Sequence, residues 1–263
     1  MFRHLKTGKD IDNAFYIFRN LSKQPSFLSQ SETSTQSQSL EESAAPQKPE
    51  IALNLLIDAC ITHQQVEKAV NFIEDILKGT EKSFVRPDEV TFNTLLKGCA
   101  IKKMLYKSYD LFQVMKKVGL HPNQVTFNTL IEVYVRCGKQ DHAWSLLAEM
   151  KQSKVKPDNY TLSSLIKGIK PDRDYWNQNG NQPNCTLDSR VSRVMELVDK
   201  MYKRPGDFGD KPDEILYNCL LDLCVRYKDT RTAVKVFEQM KYHGLKPSSV
   251  TFGILIKAFG LDN

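Results

Sequence analysis

The residues best suited to bond-making chemistry are thinly spread and badly spaced for it. The five histidines, His4, His63, His121, His142 and His243, are followed two residues on by Lys, Gln, Asn, Trp and Leu, so none opens a His-x-Glu metal motif. The six cysteines form no Cys-x-x-Cys pair and suggest neither a zinc ribbon nor a disulfide framework. A Walker loop and a Gly-x-Ser-x-Gly elbow are absent too. We therefore expect no catalytic residue, no metal and no cofactor. Another chemistry is visible instead. Val90-Thr91-Phe92-Asn93-Thr94-Leu95-Leu96 returns 35 residues later as Val125-Thr126-Phe127-Asn128-Thr129-Leu130-Ile131. This sets carboxamides at one register, and a carboxamide offers both a donor and an acceptor, the equipment of recognition.

The elements that carry these residues follow from the same period. Pro87, Pro122 and Pro157 are 35 apart, as are Pro212 and Pro247, while the 55-residue gap between Pro157 and Pro212 is one period plus an insertion. A small residue opens the second apolar stretch of each unit (Ala69, Ser108, Ala143, Ala233) and a methionine closes it (Met115, Met150, Met201, Met240). Phe92, Leu95, Leu96 and Cys99 form one stripe of a 3.6-residue period, and Tyr109, Phe112 and Met115 suggest a second. Cys137-Gly138-Lys139 reads as a turn inside a unit; Gly119-Leu120-His121-Pro122 and Gly244-Leu245-Lys246-Pro247 read as turns between units. Paired helices this short bury their stripes only by stacking on neighbours. The predicted fold is all-α, a right-handed α-solenoid of stacked helix-turn-helix hairpins with a 35-residue repeat.

The string Val-Thr-Phe-Asn-Thr-Leu, then Gly, an Ala-led apolar helix ending in Met, and Gly-x-x-Pro-Asp/Asn over 35 residues resembles the pentatricopeptide repeat. On that resemblance the units are 50–88, 89–123, 124–158, 159–213 with a loop insertion at about 170–188, and 214–248, followed by a terminal helix at 249–263. Residues 1–21 resemble the latter part of a unit. Residues 22–48, rich in Ser, Gln, Glu, Thr and Pro, are expected to be a disordered linker. The loop at 170–188 reads either as an inert insertion or as a contact for a protein partner.

The resemblance implies single-stranded RNA as ligand, one base per repeat. Its base-reading positions, the fifth and last residues of a unit, fall here on Asn54 with Asp88, Asn93 with Asn123, Asn128 with Asp158, Ser163 with Asp213, and Asn218 with Ser248. The family's pairing rule gives 5′-U-Y-U-(G)-C-3′. The second positions, Ile51, Val90, Val125, Tyr160, Ile215 and Val250, would sandwich bases, although ordinary packing is the alternative reading. Arg136 and Arg226, at the thirteenth position, would meet phosphates. Gly253 replaces Asn at the fifth position of the last helix, where reading would stop.

The net charge of +6 permits a polyanionic partner without requiring one. No apolar run of membrane-spanning length occurs, and a monomer with no membrane contact is expected. The resemblance implies organellar RNA processing, stability or translation. A mitochondrial address rests on that resemblance alone, since no transit peptide is visible, and a cytoplasmic one stays open. The rival reading is a helical scaffold for protein–protein contacts within a ribonucleoprotein or mitoribosomal assembly.

Overall fold

The computed structural model describes residues 8–22, 49–80, 85–170 and 189–260. Of the expected linker at 22–48 and the inserted loop at about 170–188, all but Ser22 and Lys170 lie outside the described residues, and Ser22 is buried at the end of α1. Among those described, all regular structure is helical: α1 (Gly8–Leu21), α2 (Pro49–Thr62), α3 (Val66–Lys78), α4 (Glu89–Lys102), α5 (Leu105–Lys117), α6 (Gln124–Arg136), α7 (Gln140–Gln152), α8 (Asn159–Gly168), α9 (Ser189–Lys203), α10 (Glu214–Arg226), α11 (Thr230–Tyr242) and α12 (Ser249–Gly260). None of these helices is long and apolar enough to cross a membrane.

The chain forms two compact units, residues 1–129 and 130–263. In the first, α2 packs on α1, α3 and α4, and α4 packs on α5. In the second, α10 packs on α8, α11 and α12. Each unit therefore holds hairpins whose first helices lie side by side.

Turn geometry explains why the hairpins repeat. Counting from residues 50, 89, 124 and 214 as position 1, the turn within each hairpin places position 15 in the left-handed region: Gln64 at φ 61°, Lys103 at 54°, Gly138 at 72° and Lys228 at 52°. The next N–H then closes back on the carbonyl of position 11, as from Met104 to Cys99 and from Asp229 to Cys224. Between units, Gly119 and Gly244 do the same, and the following N–H bonds the carbonyl of Met115 or Met240. These are Schellman closures, and they explain the fixed place of the methionines: each sits one turn from its helix end, fully buried.

The first-helix stripe is as expected, with Phe92, Leu95, Leu96 and Cys99 at 0% exposure. The second-helix stripe differs. Tyr109 is 44% exposed, and Ser108, Leu111, Phe112 and Met115 form the buried face of α5. Tyr109 is one residue past the small opening position, which turns it off the face. Burial of a Leu or Phe side chain contributes about 1.5–3 kcal/mol, so these stripes dominate stability. In α10 the core position holds Tyr217, whose hydroxyl lies 2.5 Å from His243 Nδ1 and so keeps a buried polar group bonded.

The interrupted hairpin is repaired locally. The extra residues around Pro205 form a 3-10 turn that buries Phe208, and Gly209 N–H donates to Pro157 O at 2.9 Å. Helix α8 has only ten residues; at its end Ile169 N–H closes on Ile166 O at 3.1 Å, and side chains reach the other terminal carbonyls. Gln140 Nε2 donates to Leu165 O at 2.8 Å, and Arg226 donates to Ile169 O at 2.5 Å and Ile166 O at 3.4 Å. A Cβ on Gly168 would meet Gln140 Oε1, so the carboxamide that bonds Leu165 O would have to shift to accept one.

A side chain at left-handed φ carries strain that glycine avoids. Lys103→Gly and Lys228→Gly should each raise unfolding free energy by about 0.5–1 kcal/mol after glycine's own entropic cost. Urea denaturation followed by circular dichroism measures this.

Candidate nucleic-acid interface

The candidate polar site is built from helix starts. The last residue of a unit is the N-cap of the next first helix. Asp88 accepts Thr91 N–H at 2.8 Å, Asn123 accepts Thr126 N–H at 3.1 Å, Asp158 accepts Thr161 N–H at 2.8 Å and Asp213 accepts Leu216 N–H at 2.8 Å. In return the Thr91 and Thr161 hydroxyl oxygens accept the backbone N–H groups of Asp88 and Asp158, closing capping boxes. Sequence reasoning missed this role. Its signal was present as Asp-x-x-Thr at 88–91 and 158–161, and as Asn-x-x-Thr at 123–126.

The same caps hold the fifth-position carboxamides. Thr91 Oγ1 donates to Asn54 Oδ1 at 2.5 Å, and Asn54 Nδ2 donates to Asp88 Oδ1 and Oδ2 at 3.2 and 3.3 Å. A carboxylate only accepts, so the amide nitrogen faces it and the amide orientation follows. One site on, Thr126 Oγ1 donates to Asn93 Oδ1 at 2.7 Å, Asn93 Nδ2 reaches Asn123 Oδ1 at 3.4 Å, and Asn123 Nδ2 donates to Glu89 Oε2 at 3.1 Å. In the second unit Thr251 Oγ1 donates to Asn218 Oδ1 at 2.8 Å. There the last residue is the shorter Ser248, and Asn218 Nδ2 turns to Glu214 Oε1 at 3.3 Å. The third-position threonines Thr91, Thr126, Thr161 and Thr251 are all 0% exposed.

The fifth positions are not alike in access. Asn54, Asn93 and Asn218 are half-buried, with surface left for a ligand. Asn128 is 7% and Ser163 5% exposed.

The second positions lie one helical turn before the fifth, on the same face. Ile51, Val90, Val125, Tyr160, Ile215 and Val250 are 46–66% exposed. These apolar groups lie outside the core, with surface open to solvent beside the polar sites. Lys97, Lys167 and Lys257, at the ninth position, are exposed as well.

The two arginines part company. Arg136 pairs with Glu132 across one helical turn at 2.5 Å, and Glu132 also accepts the Tyr160 hydroxyl at 3.1 Å. Burial and the Glu132 carboxylate push the Tyr160 hydroxyl above its usual pKa, so it stays a donor at neutral pH. Arg226 is spent on the carbonyls that end α8 and on Asp222 at 3.2 Å, which corrects its expected role as a phosphate contact. Its guanidinium satisfies main-chain acceptors 57 and 60 residues away in sequence.

The described residues include no cluster of three or more His, Cys, Asp and Glu side chains placed to hold a metal ion. Burial pushes the thiols of Cys60 and Cys224 up to about 12 and that of Cys99 to about 11. They remain protonated core groups without nucleophilic character.

Two substitutions separate the structural roles. Thr91→Val leaves Asn54 Oδ1 without its donor and opens the capping box, with an expected loss of about 1–2 kcal/mol. Arg226→Ala removes the guanidinium donor from Ile169 O at the end of α8 and should cost about 1.5–3 kcal/mol, the range for hydrogen bonds from a charged group. Thermal and urea unfolding of both variants checks these values; an unchanged Arg226→Ala variant would contradict its assignment as a helix clamp.

Comparison with known proteins returns the same architecture. Residues 87–132, 122–170 and 212–260 match the model of the PPR repeat family, together just over half of the chain. A pentatricopeptide repeat-containing protein of Arabidopsis thaliana, At3g09650, described as chloroplastic, is 29% identical over 73 residues, 28% of this chain and 9% of its own. A second, At1g30610, also described as chloroplastic, is 40% identical over 47 residues, 18% of this chain and 5% of its own. The chain thus spans less than a tenth of the length of these curated relatives. Among solved structures, the pentatricopeptide repeat protein PPR10 in complex with an 18-nt psaJ RNA element superposes with a TM-score of 0.57 at 23% identity, over 80% of this chain and 27% of that one. The PPR domain of Arabidopsis thaliana protein-only RNase P 1 in complex with tRNA gives 0.56 at 17% identity, over 81% of this chain and all of that one. These likenesses show a helical-repeat solenoid fold. With the repeat strings, the capped hairpins and the family model in agreement, the chain belongs to the PPR repeat family.

Proposed function

We propose that this chain binds single-stranded RNA through its first helices, one base per repeat, and acts in organellar RNA metabolism. The observation that carries the reading is the pairing of an exposed apolar second position with a pre-oriented polar fifth position, one turn apart, at Ile51 and Asn54, Val90 and Asn93, and Ile215 and Asn218. An unpaired base needs an apolar contact on its face and matched hydrogen-bonding groups at its edge. The repeat limits read from the sequence, 50–88 through 214–248 with a terminal helix at 249–263, supply the spacing.

The geometry also bears on which base each site takes. At Asn54 and Asp88, Oδ1 of the aspartate already serves the helix cap, whereas Oδ2 meets only the amide at 3.3 Å. Oδ2 keeps acceptor capacity and the Asn54 amide keeps a second hydrogen. An acceptor beside a donor complements the imide edge of uracil. At Asn93 and Asn123 both open groups are amide N–H donors, which suit the acceptor edge of a pyrimidine. Asn218 with Ser248 is assigned cytosine by the family's rule, and Asn128 with Asp158 uracil. Ser163, at 5% exposure, contributes least to the reading surface. Arg136 supplies a phosphate contact on exchanging Glu132 for the backbone, making affinity fall as salt rises. Binding is the whole of the proposed activity, with chemistry left to recruited enzymes. The chloroplastic descriptions of the two Arabidopsis relatives support an organellar address without selecting the organelle.

Stacking is worth about 1–3 kcal/mol per base, so removing two apolar contacts should be plain in affinity. The variant Val90→Asp with Val125→Asp, at exposed positions, should keep the parent's helical circular dichroism and melting temperature. It should bind a pyrimidine-rich oligoribonucleotide at least about tenfold more weakly in fluorescence anisotropy. Undiminished binding by a folded variant would refute the base-sandwiching role.

A further inference from the structure

The interrupted unit keeps its first helix but lacks the parts that hold a fifth-position side chain elsewhere. Where a carboxamide is held, the third-position threonine of the next first helix donates to it: Thr91 to Asn54, Thr126 to Asn93 and Thr251 to Asn218. At the start of α10 that third position is Leu216, fully buried and with no hydroxyl to give. Asp213 still caps α10 by accepting Leu216 N–H at 2.8 Å, so the helix begins normally. The fifth position of the unit is Ser163, shorter than asparagine and 5% exposed, and no hydrogen bond joins it to Asp213. The donor and acceptor pair that would read a base edge is therefore not assembled. Asp213 Oδ2 remains, but an acceptor alone does not select, because every base carries an N–H on its edge.

What the unit offers instead is a ring face. Its second position is Tyr160, the one aromatic among Ile51, Val90, Val125, Tyr160, Ile215 and Val250. It is 53% exposed and lies one turn from Ser163. The ring is also tethered: the Tyr160 hydroxyl donates to Glu132 Oε2 at 3.1 Å, and Glu132 is itself held by Arg136 at 2.5 Å. Helix α10 packs on α8 and brings Ile215, 66% exposed, to the same register. A ring held at its tip loses little rotamer freedom when a ligand arrives. An aromatic face accepts any base, since each has a π-face of its own.

We propose that the interrupted unit is a base-indifferent step, which holds the fourth nucleotide of the bound strand by stacking on Tyr160 and does not read its edge. The inference rests on the RNA reading above and departs from the guanine that the family's pairing rule assigns to Ser163 with Asp213. Tyr160 is then a determinant of affinity with no share in selectivity.

Four oligoribonucleotides with the core U-C-U-N-C, differing only in N, test this by fluorescence anisotropy with the 263-residue chain. Their four dissociation constants should agree within about threefold. Tyr160→Ala should weaken binding of all four by a common factor of at least about fivefold. Tyr160→Phe, which keeps the ring, and Ser163→Ala should stay within about twofold of the parent. With 5-iodouridine at N, ultraviolet crosslinking followed by peptide mass spectrometry should place the adduct on Tyr160. Circular dichroism confirms that each variant keeps the parent's helix. A wider spread among the four, a Tyr160→Ala loss that depends on N, a loss in Tyr160→Phe or Ser163→Ala as large as in Tyr160→Ala, or an adduct elsewhere overturns the inference and leaves the RNA reading standing. A parent chain that binds none of the four overturns the RNA reading and this inference with it.

Discussion

One oxygen atom does two jobs at the junction between repeats, and the polar site depends on that sharing. Asp88 Oδ1 accepts the Thr91 N–H that starts α4 and also the amide of Asn54 from α2. The cap fixes the carboxylate, the carboxylate and Thr91 hydroxyl fix the amide, and neither requires a ligand to be present. Such caps contribute about 0.5–2 kcal/mol each, which makes the site a by-product of folding. A polar group held in place by secondary structure loses little side-chain entropy on meeting its ligand. The Asn93 site repeats the arrangement with an amide in place of the carboxylate, so the donor and acceptor pattern changes while the geometry stays.

The same helix carries opposite demands on its two sides. Positions 4, 7 and 8 are closed by neighbouring helices, and position 2 is left in water at some cost in solvation. Exposed Ile51, Val90 and Ile215, each one turn from a bonded carboxamide, are hard to explain as surface noise. They are the face on which a flat, apolar ligand gains most. Arg226 shows the opposite case, a charged side chain at a regular register whose work is structural: it clamps a helix cut short by the insertion.

Much of this was legible in the sequence. The proline and methionine periods mark Schellman closures that recur because each hairpin must turn in the same way, and the stripe of α4 follows from helical spacing alone. The capping role of Asp88, Asn123 and Asp158 was legible too, in the threonine three residues on, but a search for base-reading residues looks past it. Other features had no signature. Arg226 bonds main-chain carbonyls, which any residue provides. Tyr109 fits a 3.6-residue template as well as Leu111 does, and only the neighbouring helix decides which is buried. The burial of Asn128 and Ser163, beside the greater access of Asn54 and Asn93, is likewise set by packing and not by residue type.

The central claim is that the cap residue and the carboxamide together choose the base. Asn123→Asp tests it most directly, because aspartate caps a helix as well as asparagine does and the fold should not change. Binding of the variant and the parent to a matched pair of short oligoribonucleotides, differing only by uracil or cytosine at the second position, gives the preference at that site. The account predicts a shift toward uracil in the variant with little change at the other positions. An unchanged preference, or a uniform loss of affinity for both oligonucleotides, would contradict it.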